Sequence, residues 1–155
     1  MGGEALLLKT AKNGCSCLHS ACYHGHLEIA KVLIEAGGEA LLLKTEKDGC
    51  SCLYSACLQG HLEIAKALIK ASGDVAARAA FLLMLNISNS CSCLHVASIS
   101  GHVTVVVFLL SCPGLVDLRD RSGRTALELA VAAGQTAAAE AIRAASGRPA
   151  PPRPS

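Results

Sequence analysis

The chain has 155 residues, 52% of them hydrophobic, 17% charged and only 3% aromatic, with a net charge of +2. That composition fits one folded domain and excludes a disordered chain, and the small charge makes no electrostatic demand for nucleic acid or an anionic membrane surface. No apolar run approaches the roughly 18 residues of a membrane-spanning helix, so no membrane insertion is expected.

The amino terminus lacks a basic region followed by a long apolar stretch, so no secretory leader is expected. Leu6 stands where N-myristoylation prefers Ser or Thr, which argues against a lipid anchor. The nine cysteines are odd in number and recur with a larger pattern. They imply a reducing setting, cytoplasmic or nuclear, rather than a disulfide framework.

The chain repeats itself from its first residues. GGEALLLKT occupies 2–10 and returns at 37–45, a shift of 35. GCSCLHSACYHGHLEIAK from Gly14 returns as GCSCLYSACLQGHLEIAK from Gly49. A third copy, SCSCLHVASISGHVTVVV, starts at Ser90, and a fourth, GRTALELAVAAGQTAAAE, at Gly123. In each copy a second glycine follows eleven residues later, at Gly25, Gly60, Gly101 and Gly134.

Each copy predicts helix, turn, helix. Ser16, Ser51, Ser92 and Thr125 are placed to cap the first helix, and Thr125 with Glu128 has capping-box form. The second glycine supplies the left-handed backbone of a helix exit. The second helix is expected from Leu27, Leu62, Val103 and Thr136. In copy one, Leu27, Ala30, Leu33 and Ile34 mark a buried face, and Glu28, Lys31 and Glu35 a solvated stripe. Copy two repeats that stripe with Glu63, Lys66 and Lys70. Loops of about a dozen residues return to the next copy, with Gly37-Gly38 and Asp48-Gly49 as turn signals. One such unit cannot bury its apolar face, whereas a stack of them can.

The pattern G-x-[ST]-x-L-H-x-A-x3-G-H-L-E-I resembles the ankyrin repeat. Gly14, Ser16, Leu18, His19, Ala21, Gly25, His26, Leu27, Glu28 and Ile29 carry it. The resemblance spans roughly 12–145 and implies an all-α solenoid of four stacked helix-turn-helix units with finger-like loops. The repeats fall at about 12–44, 47–79, 88–120 and 121–145, within an array of residues 1–145. Cys17, Cys52, Cys93 and Ala126 stand where the family usually has proline. Tyr54 and Glu128 replace its histidine, which weakens a local hydrogen-bond network.

The two ends differ. Arg143 replaces the Ile34 and Ile69 of earlier copies and, with Glu140 and Gln135, marks a polar closing unit. The start lies inside a finger-like loop with no capping repeat before copy one: either the array once extended further N-terminally, or an apolar end is left open, which favours self-association or another domain. Between copies two and three the spacing grows from 35 to 41. There the apolar run Phe81 to Leu85 predicts an extra helical turn packed on the array. It adjoins a third outer helix whose Thr104, Val107 and Ser111 lack charge, and the two apolar features are expected to cover each other. Residues 146–155 form a disordered Pro/Arg tail in which Arg148, Pro151 and Pro154 match a polyproline-ligand spacing.

The Cys and His residues between Cys15 and His26 invite a zinc reading. Their spacing is not that of a zinc knuckle, and copy two loses two of the histidines to Tyr54 and Gln59. No metal, cofactor or catalytic residues are assigned: there is no nucleophile–base set and no phosphate loop. The resemblance implies a non-catalytic scaffold that binds a partner protein through its concave face and finger tips. Carried over by position, the contact residues are Lys12, Asn13, Cys15, Tyr23 and His24 in copy one and Lys47, Asp48, Cys50, Leu58 and Gln59 in copy two. Copies three and four contribute Asn89, Cys91, Ile99 and Ser100, then Arg121, Ser122 and Arg124. Two alternatives stay open: a regulatory fragment of a larger multidomain protein, and a thiol- or metal-responsive binding protein built on the ladder Cys15, Cys50 and Cys91.

Overall fold

Four hydroxyl side chains open four short helices. In a computed structural model, which describes residues 2–147, Ser16, Ser51, Ser92 and Thr125 accept the backbone N–H three residues on and cap α2 (Cys17–His24), α4 (Cys52–Gln59), α7 (Cys93–Ile99) and α9 (Ala126–Ala132). Thr125 and Glu128 form the expected capping box, and Ser92 forms a second one with His95. Each helix exits at or beside a left-handed glycine, and the chain reverses into α3 (Leu27–Leu42), α5 (Leu62–Ala71), α8 (Val103–Leu110) and α10 (Thr136–Ser146).

The pairs stack in order. α2, α4, α7 and α9 form one row, and α3, α5, α8 and α10 the other. The core between the rows is aliphatic and small: Leu18, Leu53, Leu94, Ala21, Ala56, Ala97 and Ala130 on the inner helices meet Ala30, Leu68, Val106, Leu109 and Ile142. Among the described residues there is no strand; two isolated bridges, Thr10 with Ser16 and Thr45 with Ser51, close the first two fingers.

Three expectations need correction. The chain does not start inside a loop: residues 2–7 form α1. Its repeat copy is also helical through Leu42, continuing α3 beyond a break at Gly38, where φ is 52° and ψ is −152°. The apolar run before copy three belongs to α6 (Val75–Leu82), capped by Asp74. α6 packs on α5, and Val107 stays 55% exposed, so the third outer helix is not covered at that position. At the other end α10 runs through Ser146, so the helix enters the segment assigned to the tail. Arg148, Pro151 and Pro154 lie outside the described residues.

The cysteines at the proline positions acquire a structural role. Cys17, Cys52 and Cys93 each donate a thiol hydrogen bond to a carbonyl at the end of the preceding short helix, from Leu7, Leu42 and Leu82 at 3.6, 3.4 and 3.8 Å. Those carbonyls have no partner further along their own helix. The thiol therefore ties each capped helix to the segment before it.

Adjacent units are joined through histidine rings. His19 reaches the Cys50 carbonyl at 3.1 Å, and His95 reaches the Arg124 carbonyl at 3.2 Å. At His95 the assignment of the ring proton follows from geometry. The Ser92 backbone N–H donates to Nδ1, so Nδ1 is the acceptor and Nε2 carries the proton. Burial holds both imidazoles below their ordinary pKa of 6.5 despite these carbonyl partners. A lowered histidine pKa means that the unfolded chain binds the proton more tightly. The stabilisation is therefore complete above about pH 6.5 and is lost as pH falls through the folded-state values. Thermal unfolding followed by circular dichroism is expected to show a melting temperature that declines below that pH, with a flatter profile in a His19→Gln/His95→Gln variant.

A second set of rings explains why glycine precedes histidine in the repeat. The His61 ring donates to the Tyr23 carbonyl at 3.2 Å, and the His102 ring to the Leu58 carbonyl at 3.0 Å. Each ring lies over the glycine of the preceding unit, so that a Cβ at Gly60 would sit 2.5 Å from the His102 ring. Gly134 has the same left-handed backbone (φ 73°) but nothing within 4 Å of that position. Gly134→Ala is expected to cost about 1 kcal/mol, the price of the backbone conformation alone. Gly60→Ala displaces the ring as well and loses its hydrogen bond, giving about 2–4 kcal/mol. Denaturant titration of the two variants measures the difference, and equal losses would refute the ring's role.

Candidate interaction surface

The fingers are held by the same nearest-neighbour logic. Each closes on itself through a pair of backbone bonds: Ala11 N–H to Cys15, Glu46 N–H to Cys50, Asn86 N–H to Cys91 and Asp120 N–H to Arg124, all 2.9–3.0 Å, with the return bonds Gly14 N–H to Ala11, Gly49 N–H to Glu46, Ser90 N–H to Asn86 and Gly123 N–H to Asp120 at 2.8–2.9 Å. Each then donates to the finger before it: Lys47 N–H to the Asn13 carbonyl at 3.0 Å, Ile87 N–H to Asp48 at 2.7 Å, and Arg121 N–H to Asn89 at 2.8 Å. The expected tip residues Asn13, Lys47, Asp48, Asn89 and Arg121 are thereby strung along one continuous edge.

Polar side chains finish the fingers. Asn13 and Asn89 accept from the N–H two residues on, of Cys15 and Cys91, at 3.0 Å each. In the fourth finger Asp120 takes over that task, accepting from the Arg124 and Ser122 N–H groups at 2.9 Å while Arg124 pairs with it at 3.0 Å. The Arg124 N–H, followed by the Ser122 N–H and the guanidinium, holds the Asp120 carboxyl below its usual range.

The expected contact residues differ in what they present. Lys12, Asn13, Tyr23, His24, Lys47, Asp48, Asn89, Ile99, Arg121, Ser122 and Arg124 are exposed. Cys15, Cys50, Leu58, Gln59 and Ser100 are half-buried. Cys91 is a correction: it is 5% exposed and offers almost no surface, because the third finger closes over it. Tyr23 is 46% exposed and meets the His24 ring edge-on at 5.2 Å.

Finger three holds residues that the motif alignment missed. It is one residue longer than its neighbours, so Asn86 takes the place of Glu46, and Ile87 that of Lys47. Ile87 is 66% exposed at the tip, where the fingers beside it present Lys47 and Arg121. The extra residue leaves Ser90 at the glycine position, with φ 55°, the one non-glycine of positive φ among the described residues. Asn86 also donates to the Cys50 sulfur at 2.9 Å. Tyr54 is the other omission: it occupies the histidine position and is half-buried, and burial raises its hydroxyl pKa. The signal was present as the 41-residue spacing, which marked an insertion without locating it.

The ladder Cys15, Cys50 and Cys91 is electrostatically unsuited to thiolate chemistry. Burial raises all three thiol pKa values, and nearby carboxylates, Glu46 at the first two and Asp120 at the third, raise them further. A reactive thiol needs the opposite surroundings. Cys22 and Cys57 are fully buried and lie within hydrogen-bonding reach of Cys52 and Cys93 in the following unit, which pushes both upward as well. Among the described residues no three His, Cys, Asp or Glu side chains are grouped to hold a metal ion, and no helix is long and apolar enough to cross a membrane.

Comparison with known proteins agrees with the geometry. A family model described as ankyrin repeats (3 copies) matches residues 3–79, and the model of a single ankyrin repeat matches residues 89–121. No curated protein matches the chain. The fourth helix pair lies beyond both matches, yet it carries the same cap, glycine exit and finger bond. Motif, spacing, helix order and family models coincide: the chain belongs to the ankyrin repeat family.

Proposed function

Ankyrin repeats are generally protein–protein interaction modules. We propose that this chain is a non-catalytic scaffold, with repeats near 12–44, 47–79, 88–120 and 121–145, that binds a partner protein along its finger tips and the adjoining inner-helix ends. The observation that carries this reading is the backbone-bonded finger edge, which presents Lys47, Ile87 and Arg121 in sequence, with Tyr23 exposed at the carboxyl end of the first inner helix. Backbone already ordered by the stack loses little entropy on binding. Tyr and Arg are the residue types that dominate interface energetics, which singles out Tyr23 and Arg124 among the surface residues.

The exposure of Leu6, Ile29 and Val32 favours a second contact, self-association through the open end of the first unit. The raised thiol pKa values weigh against a thiol-responsive protein.

Tyr23 lends itself to a clean test. Its carbonyl, not its side chain, receives His61, so truncation leaves the inter-unit bond in place. Tyr23→Ala is expected to weaken partner capture while moving the melting temperature little. Affinity pulldown with mass spectrometry, comparing wild type with the Tyr23→Ala/Arg124→Ala variant, identifies the partner as the protein lost from the variant. Unchanged capture with a large stability loss would refute this assignment of the surface.

A further inference from the structure

Finger three departs from its neighbours in backbone as well as in sequence. Its extra residue leaves Ser90 where the other fingers have glycine, at φ 55°. A side chain in that left-handed region is disfavoured, and strain of this kind collects where a segment has a function. The insertion sets Ile87, 66% exposed, at the tip position that Lys12, Lys47 and Arg121 hold in the other fingers. A lone exposed aliphatic is ordinary on a protein surface, but this one is fixed on three sides. Its N–H donates to the Asp48 carbonyl at 2.7 Å, its own carbonyl accepts from the Arg121 guanidinium at 3.4 Å, and its side chain lies over Gly49. Charge at the tips is one-sided. Lys12, Lys47 and Arg121 are exposed and, among the described residues, none has an ion-pair partner. Of the acids in the four tip turns, Glu46 is half-buried and Asp120 is buried, which leaves Asp48 as the one exposed carboxylate.

We propose that finger three makes this edge a receptor for an extended acidic segment that carries one aliphatic or aromatic side chain between carboxylates. This rests on the scaffold role proposed above and specifies the partner's chemistry. The apolar side chain packs on Ile87. The carboxylate on one side of it meets the Arg121 guanidinium, which is already held at the Ile87 carbonyl with most of its donors unused. Arginine takes a carboxylate in a bidentate pair, so this contact fixes the segment's direction as well as its charge. The carboxylate on the other side meets Lys47 in the preceding finger. A basic segment is repelled on both sides of Ile87, and an acidic segment without an apolar residue sets a polar group against it. Asp48 offsets one of the three tip cations and lies on the Lys47 side, so the Arg121 contact is the stronger of the two.

Selection of random phage-displayed peptides against the immobilised full chain tests this. The enriched peptides are expected to share one apolar residue flanked by Asp or Glu. A synthetic copy of one of them, followed by fluorescence anisotropy, is expected to bind about tenfold more weakly to Ile87→Ser and to Arg121→Glu. Its affinity is expected to fall as salt is raised. Both side chains are exposed, so circular dichroism melting of the two variants is expected to move little. Peptides with another consensus, or with an affinity indifferent to both substitutions and to salt, overturn this chemistry and leave the scaffold role standing. A selection that enriches nothing overturns it too. The scaffold role is then decided separately, by whether the pulldown with the Tyr23→Ala/Arg124→Ala variant loses a protein that the wild type captures.

Discussion

The structure depends on each unit completing the polar and apolar needs of the one beside it. A single helix pair of this chain has too little core to stand alone, and its finger leaves backbone groups that its own residues do not satisfy. The next unit supplies both deficits. It places an N–H on the previous finger's carbonyl, and in two of the three junctions a ring on the previous inner helix's last turn. Because these bonds use backbone acceptors, they tolerate changes of side chain at the tips. That is why Lys47, Ile87 and Arg121 occupy one structural position without disturbing the edge.

The cysteines follow from the same arrangement. Three stand where proline usually opens the helix and offer something proline cannot, a donor that reaches back to an orphan carbonyl. Two more, Cys22 and Cys57, fill small spaces between inner helices where a larger aliphatic would hold the rows apart. Burial and neighbouring carboxylates raise the thiol pKa values of the finger ladder rather than lowering them. Their abundance is thus a packing and capping solution, and thiolate chemistry is disfavoured along the finger ladder and at Cys22 and Cys57.

The caps, the glycine exits and the starts of the second helices were legible because each rests on a local rule acting within four residues. Ser16 with the N–H of His19, or Gly25 with its left-handed φ of 78°, can be inferred with no knowledge of the neighbouring unit. What escaped depends on contacts between units. The helix in residues 2–7 and its copy after Gly38 are too short for periodicity to reveal, and they are stabilised by packing on α3 and over Gly37. The extra residue of finger three was invisible because a motif alignment fixed on Ser90 as the glycine counterpart. Only the backbone bonds show that Ile87, not Ser88, takes the position of Lys47. Burial of Cys91 was illegible for the same reason.

Rigid support changes what the sparse surface chemistry can achieve. With aromatics at 3% of the chain, few side chains are suited to anchor a partner, and Tyr23 stands among charged and aliphatic groups. A flexible loop carrying so few anchors would lose much of its binding free energy to ordering. Here the fingers are ordered before any partner arrives, fixed by backbone bonds within each finger and between neighbours. The spacing between Lys47, Ile87 and Arg121 is then a property of the stack. Under the proposed scaffold role, a partner matches the spacing of this basic, apolar and second basic position, so discrimination would reside in register more than in any single contact.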